Sequence, residues 1–289
     1  MLKDDLIAGG DSETNKLCSS QEKARLARIH VLRMTNQANS SHVGTCLSCI
    51  DLLAVLYRCV MRYDAANPQW PERDRLIFSK GHGAAALYAI LAECNFYPLS
   101  WLDTYYQNGS LLTAHAAHEV PGIEASTGSL GHGLPIGCGM ALSGKRAGET
   151  HRVFVLLGDG ELNEGSNWEA ALFAPHHQLD NLVAIVDYNR MQGLGSTDDV
   201  LSLEPLKEKW QSFGWGVREV NGHDHQEILE ALATIPFEAQ KPSVLIAHTT
   251  KGKGISFMEN QLAWHYKSPN AEQLSQALTE MGITVEEGT

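Results

Sequence analysis

Short, continuous runs of apolar and β-branched residues are the clearest pattern in this chain. The strongest runs are residues 153–157 and 182–186, and similar runs begin the stretches 76–91 and 243–254. Unbroken apolar runs of this length predict strands that are buried on both faces of a parallel sheet. A weaker strand followed by a turn is predicted at residues 217–224.

Apolar residues recur at helical spacing between these strands, as Trp168, Ala171 and Leu172 do. Ser48 and Asp51 form a plausible capping box at the start of another helix. Helices are predicted at residues 21–38, 48–60, 84–91, from 134 onward, 204–215, 226–233 and after 270, and a loop at 193–202. Because strands alternate with helices without a linker or repeat, we expect one α/β domain over residues 21–289, with a doubly wound, mainly parallel sheet flanked by helices. The polar residues 1–20 predict an N-terminal arm.

The composition argues against a nucleic-acid-binding, membrane-bound or exported protein. The chain has 289 residues, 43% hydrophobic and 19% charged, and its net charge of −12 comes from acids spread along it. This distribution argues against a nucleic-acid-binding surface. No apolar run approaches the roughly 20 residues that cross a bilayer, so no membrane partner is expected, and the N-terminus has no export signal. Six scattered cysteines predict mainly buried free thiols in a cytoplasmic enzyme or binding protein.

Asp159 and Asn189 follow the two strongest strands. They are therefore expected at the carboxyl ends of neighbouring strands, where open α/β sheets bind ligands. A carboxylate and an amide oxygen suit Mg²⁺, with Ca²⁺ as the alternative. Gly158 and Gly160 allow a sharp turn and a close approach of phosphates to the backbone. A Gly-Asp-Gly turn alone is a weak signal, but here 28 residues separate Gly160 from Asn189, and the pattern resembles the thiamine diphosphate motif.

Four histidines lie in loops beside small residues: His42, His82, His115 and His265. A single loop histidine is more often structural or merely exposed. Four in similar settings indicate a site, because imidazole suits phosphate binding, contacts with sugar hydroxyls and proton transfer.

Several segments together resemble the N-terminal half of a transketolase. Residues 38–44 (ANSSHVG) resemble the family's A-N-S-G-H-P-G, and residues 79–83 (SKGHG) its S-N-G-H-G. Residues 113–133 resemble its G-H-P-E and T-G-P-L-G-Q-G motifs, and residues 158–165 (GDGELNEG) carry the cofactor motif. The match runs from about residue 22 to 275, and the motifs are specific only as a set.

The resemblance implies a thiamine diphosphate-binding fold and a role for each matching residue. Asp159, Asn189 and the carbonyl of Met191 would bind the metal. His82, His265 and the backbone around Gly158 and Gly160 would face the diphosphate. His42 and His115 would face the substrate, and Gly128 and Leu130 would contact the cofactor through their backbone. Glu164 matches a buried glutamate that links paired active sites, and we expect it and Asn189 to contact the cofactor as well. The expected catalytic residues are His42, His115, His265 and Glu164.

The resemblance also implies a second chain. The family's cofactor needs a glutamate from a following domain, and the residues after His265 are too few for a domain of roughly 150 residues. We therefore expect the N-terminal subunit of a split transketolase. A C-terminal subunit of about 300 residues would complete the site in an α₂β₂ heterotetramer.

The implied reaction moves a two-carbon ketol unit from a ketose, expected to be a sugar phosphate, to an aldose. Departures such as Ala114-His115-Ala116 and Tyr266 leave the sugar open, including sulfonated sugars. Two alternatives remain. One is another thiamine diphosphate enzyme subunit, either deoxyxylulose-phosphate synthase-like or a 2-oxoacid dehydrogenase α subunit. The other is a non-catalytic interaction subunit with the same fold.

Overall fold

A five-stranded parallel sheet forms the centre of the protein. The structure, a computed structural model, describes residues 13–284. The strands lie in the order β1-β2-β3-β5-β4, and every neighbouring pair is parallel. They are β1 Arg75–Phe78, β2 Val153–Gly158, β3 Leu182–Tyr188, β4 Gly216–Asn221 and β5 Ser243–His248. All five overlap the runs that predict strands.

Helices cover both faces of this sheet. The α-helices of the described residues are α1 Glu13–Ala38, α2 Val43–Val55, α3 Ala84–Glu93, α4 Gly133–Ala147, α5 Gly165–His176, α6 Thr197–Val200, α7 Leu206–Ser212, α8 His225–Leu232 and α9 Ala271–Glu280. The strand residues alternate between two hydrophobic cores. Phe154 and Leu156 of β2 pack with α1, α2 and α3, whereas Val153 and Val155 pack with α4, α5 and α7. The doubly wound fold is therefore confirmed, and burial on both faces explains the unbroken apolar strands.

One long apolar segment of the described residues is a core helix. Val43–Val60 has the length and hydropathy of a membrane span, but 83% of it is buried inside the protein. The expectation that no apolar run comes near that length was therefore wrong. All residues of α2 are buried, and a π-helical turn, Leu56–Val60, continues it. Burial between α1 and α3 explains the apolar composition without a bilayer.

Two expectations about helix starts were also wrong. The first helix begins at Glu13, so residues 13–20 belong to it and not to an arm, and the rest of the predicted arm lies outside the described residues. Helix α2 begins at Val43, so Ser48 and Asp51 lie inside it and cap nothing. Both side chains are instead buried and bind groups far away in sequence. The predicted loop 193–202 contains the short helix α6.

The strand order brings the central motif to one edge of the sheet. Gly158 of β2 lies beside Asp187 of β3, and Asp187 lies beside Ala247 of β5. Asp159, Asn189 and the turn after β5 consequently share the carboxyl edge of the sheet. Chains of this architecture bind ligands at that edge.

Candidate active site

A cavity of about 400 Å³ lies at the carboxyl edge of the sheet. This volume suits a small-molecule ligand. Ten of the residues predicted for the site line it: His42, His82, Gly128, Leu130, Gly158, Asp159, Gly160, Asn189, Met191 and His265. The structure thus brings together segments that are more than 200 residues apart in the chain.

Asp159 is a buried acid with half of its carboxylate unpaired. It follows β2 directly and is 4% exposed. Its Oδ1 accepts a hydrogen bond from the backbone N–H of Gly160 at 2.7 Å, but its Oδ2 is buried without a partner. Burial, and then the charge of Asp187, raise its pKa to about 6. An oxygen buried in this way needs a cation or a donor from outside the chain.

Asn189 and Met191 offer two further oxygens. Asn189 follows β3 and is 6% exposed. Its Oδ1 accepts from the backbone N–H of Met191 at 3.1 Å, and its Nδ2 donates to Ser48 Oγ at 3.4 Å. These bonds hold the amide oxygen on the side of the Met191 peptide. A carboxylate, an amide oxygen and a backbone carbonyl form a donor set for Mg²⁺ or Ca²⁺.

A buried lysine–aspartate pair supports this edge of the sheet. Lys80 lies in the turn after β1 and donates to Asp187 and to the carbonyl of Thr45. Asp187 also accepts from the hydroxyls of Ser48 and Thr249. Burial alone would raise the pKa of Asp187, but the Lys80 ammonium and these hydrogen bonds hold it below its ordinary value. The pair therefore fixes the turns after β1, β3 and β5 together.

Lys251 is a second buried cation, and its ammonium group reaches the cavity. Its Nζ donates to the Met191 carbonyl at 3.0 Å and lies 2.7 Å from His265 Nδ1. Burial, and then the charge of Lys80, lower its pKa to about 8. Neither Lys80 nor Lys251 was predicted as a site residue from the sequence. In SKGHG (79–83) only the histidine was assigned a role, and KGKG (251–254) was set aside because it lacks the spacing of a phosphate loop. The position of each lysine in a glycine-containing turn after a predicted strand could have indicated the site.

Three of the predicted histidines form a cluster on one wall of the cavity. The backbone N–H of His42 donates to the carbonyl of His265 at 3.0 Å, which joins the start of α2 to the loop before α9. The His42 ring centroid lies 5.3 Å from that of His82 and 5.2 Å from that of His265. His42 has a φ of 74°, an uncommon conformation for a residue other than glycine.

The pKa values of all three histidines are lowered, so their neutral forms are favoured. Burial is the main cause in each case, followed by nearby positive charges. It lowers the pKa of His42 to about 4 and that of His265 to about 3, and it holds the pKa of His82 well below its ordinary value. Because Lys251 donates to His265 Nδ1, the ring hydrogen of His265 is assigned to Nε2. Neutral imidazoles can both donate to and accept from hydroxyl groups.

His115 lies at the edge of this cavity. It is exposed, and its ring packs against Gly128, where an added Cβ would lie 2.9 Å from His115 Cδ2. Gly128 has a φ of 152° and Leu130 is partly buried, and both line the cavity. A side chain at Gly128 would therefore displace His115.

Glu164 lies outside the cavity. It is exposed at the start of α5, and its Cβ packs against Gly131. Its predicted burial concerns the contact between paired active sites, so its catalytic and cofactor-binding roles stay a prediction. The buried glutamate of the GDGELNEG motif is Glu161, which lines the cavity and accepts from Ser79 and from the backbone of Gly131 and Gly158. Glu161 orders the glycine turns. Its position directly after Gly158-Asp159-Gly160 could have indicated this role from the sequence.

The arrangement defines a class of protein. Among residues 13–284 no group of three or more His, Cys, Asp or Glu side chains could hold a metal by itself. A cation here would need Asp159, amide and carbonyl oxygens, and oxygens from its ligand. An acid and an amide after adjacent parallel strands, beside glycine turns and buried lysines, fit a metal-bound diphosphate. The site therefore suits a cofactor that carries a diphosphate.

The family follows from comparison with known proteins. Residues 19–288 match the family model described as the transketolase, thiamine diphosphate binding domain. The chain belongs to the transketolase family.

Curated relatives match almost from end to end. One of them is a subunit of the apulose-4-phosphate transketolase of Phocaeicola vulgatus. The chain is 43% identical to it over 274 residues, covering 95% of this chain and 96% of that protein. It is 42% identical over 262 residues to the 6-deoxy-6-sulfo-D-fructose transketolase subunit SqwG of a Clostridium species, covering 90% and 95% respectively.

Solved transketolases share the fold over a part of their length. The Campylobacter jejuni enzyme matches with a TM-score of 0.85 at 32% identity, over 93% of this chain and 43% of that one. A Pichia stipitis variant in complex with xylulose-5-phosphate matches with a TM-score of 0.88 at 28% identity, over 94% and 42%. The chain therefore spans about two fifths of these solved chains.

Proposed function

We propose that this chain is the diphosphate-binding subunit of a split transketolase, which transfers a two-carbon ketol unit from a ketose donor to an aldose acceptor. The observation that carries the proposal is the buried, unpaired Oδ2 of Asp159 beside Asn189. Two relatives of matching length are named as transketolase subunits, which supports the split arrangement.

The lining residues suit thiamine diphosphate and Mg²⁺. Asp159, Asn189 and the Met191 carbonyl would hold the metal, and Lys251 and His82 would face the diphosphate. When bound, thiamine diphosphate supplies the nucleophilic carbon that receives the two-carbon unit. The glycine backbone at 158–160 allows the phosphates to come close, because Gly160 has only the flexible Gln192 side chain near its missing Cβ. Gly128 and Leu130 would contact the cofactor from the opposite wall.

The histidines would handle protons of the sugar. The neutral forms of His42 and His265 are favoured and both rings face the cavity, so each can donate a hydrogen bond to a sugar hydroxyl or accept one from it. Their burial in a water-poor wall strengthens such hydrogen bonds. His115, exposed beside Gly128, would face the substrate, as the family resemblance implies.

A second chain would complete the site, as the family resemblance implies. At the mouth of the cavity Leu194 is 84% and Tyr266 is 62% exposed, so apolar surface surrounds the opening. The partner would be a C-terminal subunit of about 300 residues, and two copies of each chain would form an α₂β₂ heterotetramer. Exposed Glu164 would meet its counterpart in the second copy. Six cysteines without a disulfide support a cytoplasmic location.

The donor would be a ketose with an anionic group at its far end. The names of the relatives indicate two such groups, a phosphate and a sulfonate. The chosen sugar would depend on the partner as well, since the rim of this cavity is open.

Calorimetric titration of thiamine diphosphate with Mg²⁺ tests the proposal. The titration would use this chain co-expressed with the chain encoded beside it, and the donors tested afterwards would be ketose phosphates and sulfo-ketoses. We expect metal-dependent binding that Asp159→Ala abolishes. Asp199→Ala, an exposed acid in α6, is the matched control and should bind as the unmodified protein does. Equal binding by the Asp159 variant, or none by the unmodified complex, would remove the cofactor assignment.

A further inference from the structure

A buried polar cluster inside the fold takes no part in the proposed reaction. At its centre is Asp51, in the middle of α2. Arg28 donates to both carboxylate oxygens, at 3.0 and 2.6 Å. His223 Nδ1 lies 2.8 Å from Oδ2, and His225 Nε2 lies 3.1 Å from Oδ1. Asp51 thus binds two histidines in addition to Arg28, although the arginine alone would pair with its charge.

His223 connects this cluster to the turn after β5. The backbone N–H of Thr250 donates to His223 Nε2 at 2.8 Å. Because that nitrogen accepts, the ring hydrogen of a neutral His223 lies on Nδ1 and points at Asp51. Asp51 therefore fixes both the orientation and the tautomer of the ring that holds the Thr250 peptide.

The peptide held in this way directly precedes Lys251. The segment around Lys251 has further attachments: the Thr249 hydroxyl donates to Asp187, the Gly252 N–H donates to the carbonyl of Gly44 at 2.9 Å, and the Asn260 N–H donates to the carbonyl of Lys251 at 2.9 Å. From this backbone the Lys251 side chain extends to the Met191 carbonyl and to His265. A shift of the Thr250 peptide would move the ammonium group relative to both.

We propose that His223, oriented by Asp51, is a positioning residue that holds Lys251 in place for the diphosphate. The inference rests on the proposed function, because it gives Lys251 a ligand. His223 does not line the cavity. Its loss should therefore lower the affinity for the cofactor only through the displacement of Lys251.

A double-mutant cycle tests this dependence. The affinity of the co-expressed complex for thiamine diphosphate with Mg²⁺ is measured for His223→Leu, Lys251→Met and the double variant. We expect His223→Leu alone to weaken binding roughly fivefold to tenfold, the effect of one hydrogen bond. In the Lys251→Met background the same change should weaken binding less than about twofold, because the group that it positions is gone. Effects that multiply independently would overturn the proposal.

His225 provides a matched control. It binds the same Asp51 carboxylate, but its other nitrogen contacts Ser20 in α1 at 2.8 Å instead of the turn. His225→Leu should therefore destabilise the fold and leave cofactor affinity within about twofold. His223→Gln, which keeps an acceptor near the position of Nε2, should recover most of the affinity. Equal losses in the two leucine variants would show that the cluster is merely structural.

Amide hydrogen exchange without cofactor separates this inference from the proposed function. His223→Leu should speed exchange in the peptide that covers residues 249–254, and His225→Leu should not. If the unmodified complex binds no thiamine diphosphate, the proposed function fails, and the exchange result still decides whether His223 holds the turn. Unchanged exchange in His223→Leu would overturn the positioning role whatever the binding result.

Discussion

Removing one partner of the buried Lys80–Asp187 pair should strongly lower the free energy of unfolding. Neither side chain is exposed to solvent, and Asp187 also accepts from Ser48 and Thr249. Lys80→Met keeps the length of the side chain but leaves the Asp187 carboxylate buried without its counter-charge. Removing one partner of a buried pair costs about 3–5 kcal/mol. For a chain of this size that loss lowers Tm by about 6–20 °C.

Thermal unfolding followed by circular dichroism, with urea titration for the free energy, measures the effect. Lys145→Met is the matched control, because Lys145 pairs with Asp180 at the exposed surface. Breaking that pair should cost at most about 1 kcal/mol. Adding Asp187→Asn to Lys80→Met should recover part of the loss, since the unpaired charge is then removed. A Lys80→Met variant as stable as Lys145→Met, or additive effects of the two substitutions at the buried pair, would refute this reasoning.

Three further predictions test packing, pH dependence and the histidine wall. Gly137→Ala in α4 should destabilise by about 1–3 kcal/mol in urea titration, because the new Cβ would lie 2.5 Å from Val155 Cγ2, whereas Gly139→Ala, with no atom within 4 Å of its Cβ, should stabilise by roughly 0.5–1 kcal/mol. Burial alone would raise the pKa of Asp74, but hydrogen bonds from Arg152 lower it, so the stability that Asp74 contributes is complete above a pH of about 4 and is lost as the pH falls through its folded-state pKa. Asp74→Asn should lower the free energy of unfolding by about 1–3 kcal/mol at pH 7, and the stabilities of the variant and the unmodified protein should converge in acid unfolding curves. A difference in stability that does not change with pH would contradict the lowered pKa. His42→Asn should lower kcat/KM for the ketose by about 10²–10⁴-fold with little change in cofactor affinity, and His248→Asn, outside the cavity, should leave steady-state rates unchanged.

The fold could be predicted from the sequence because burial dictates its clearest signal. Strands β2 and β3 are covered on both faces, so their side chains are apolar over the runs 153–157 and 182–186, and the first charged residue, Asp187, comes near the carboxyl end of β3. The helix starts were harder to predict, because α2 is buried on all sides and has no amphipathic pattern. Its start is fixed by the backbone bond from His42 to His265, a contact between residues more than 200 positions apart.

The candidate site was predictable where a residue's role depends on its neighbours in sequence. Asp159 and Asn189 follow predicted strands, so topology alone places them at one edge. Lys80 and Lys251 could not be assigned in that way, because a lysine in a loop is usually exposed. Their burial depends on partners far away in sequence: Asp187 for Lys80, and the Met191 carbonyl and His265 for Lys251. Glu164 shows the opposite limit: its predicted role concerns a second chain, and within this chain it is exposed.

The two acids at the edge of the sheet show why this site needs a ligand. Asp187 and Asp159 belong to adjacent strand ends and are both buried, yet Asp187 has a lysine and two hydroxyls, whereas one oxygen of Asp159 has no partner. The pKa values diverge accordingly: that of Asp187 is lowered, and that of Asp159 is raised to about 6. Lys80 is committed to Asp187, and Lys251 is directed at Met191 and His265. Among the described residues the Oδ2 atom of Asp159 therefore has no hydrogen-bond partner, and a cation that also binds a diphosphate would pair with it.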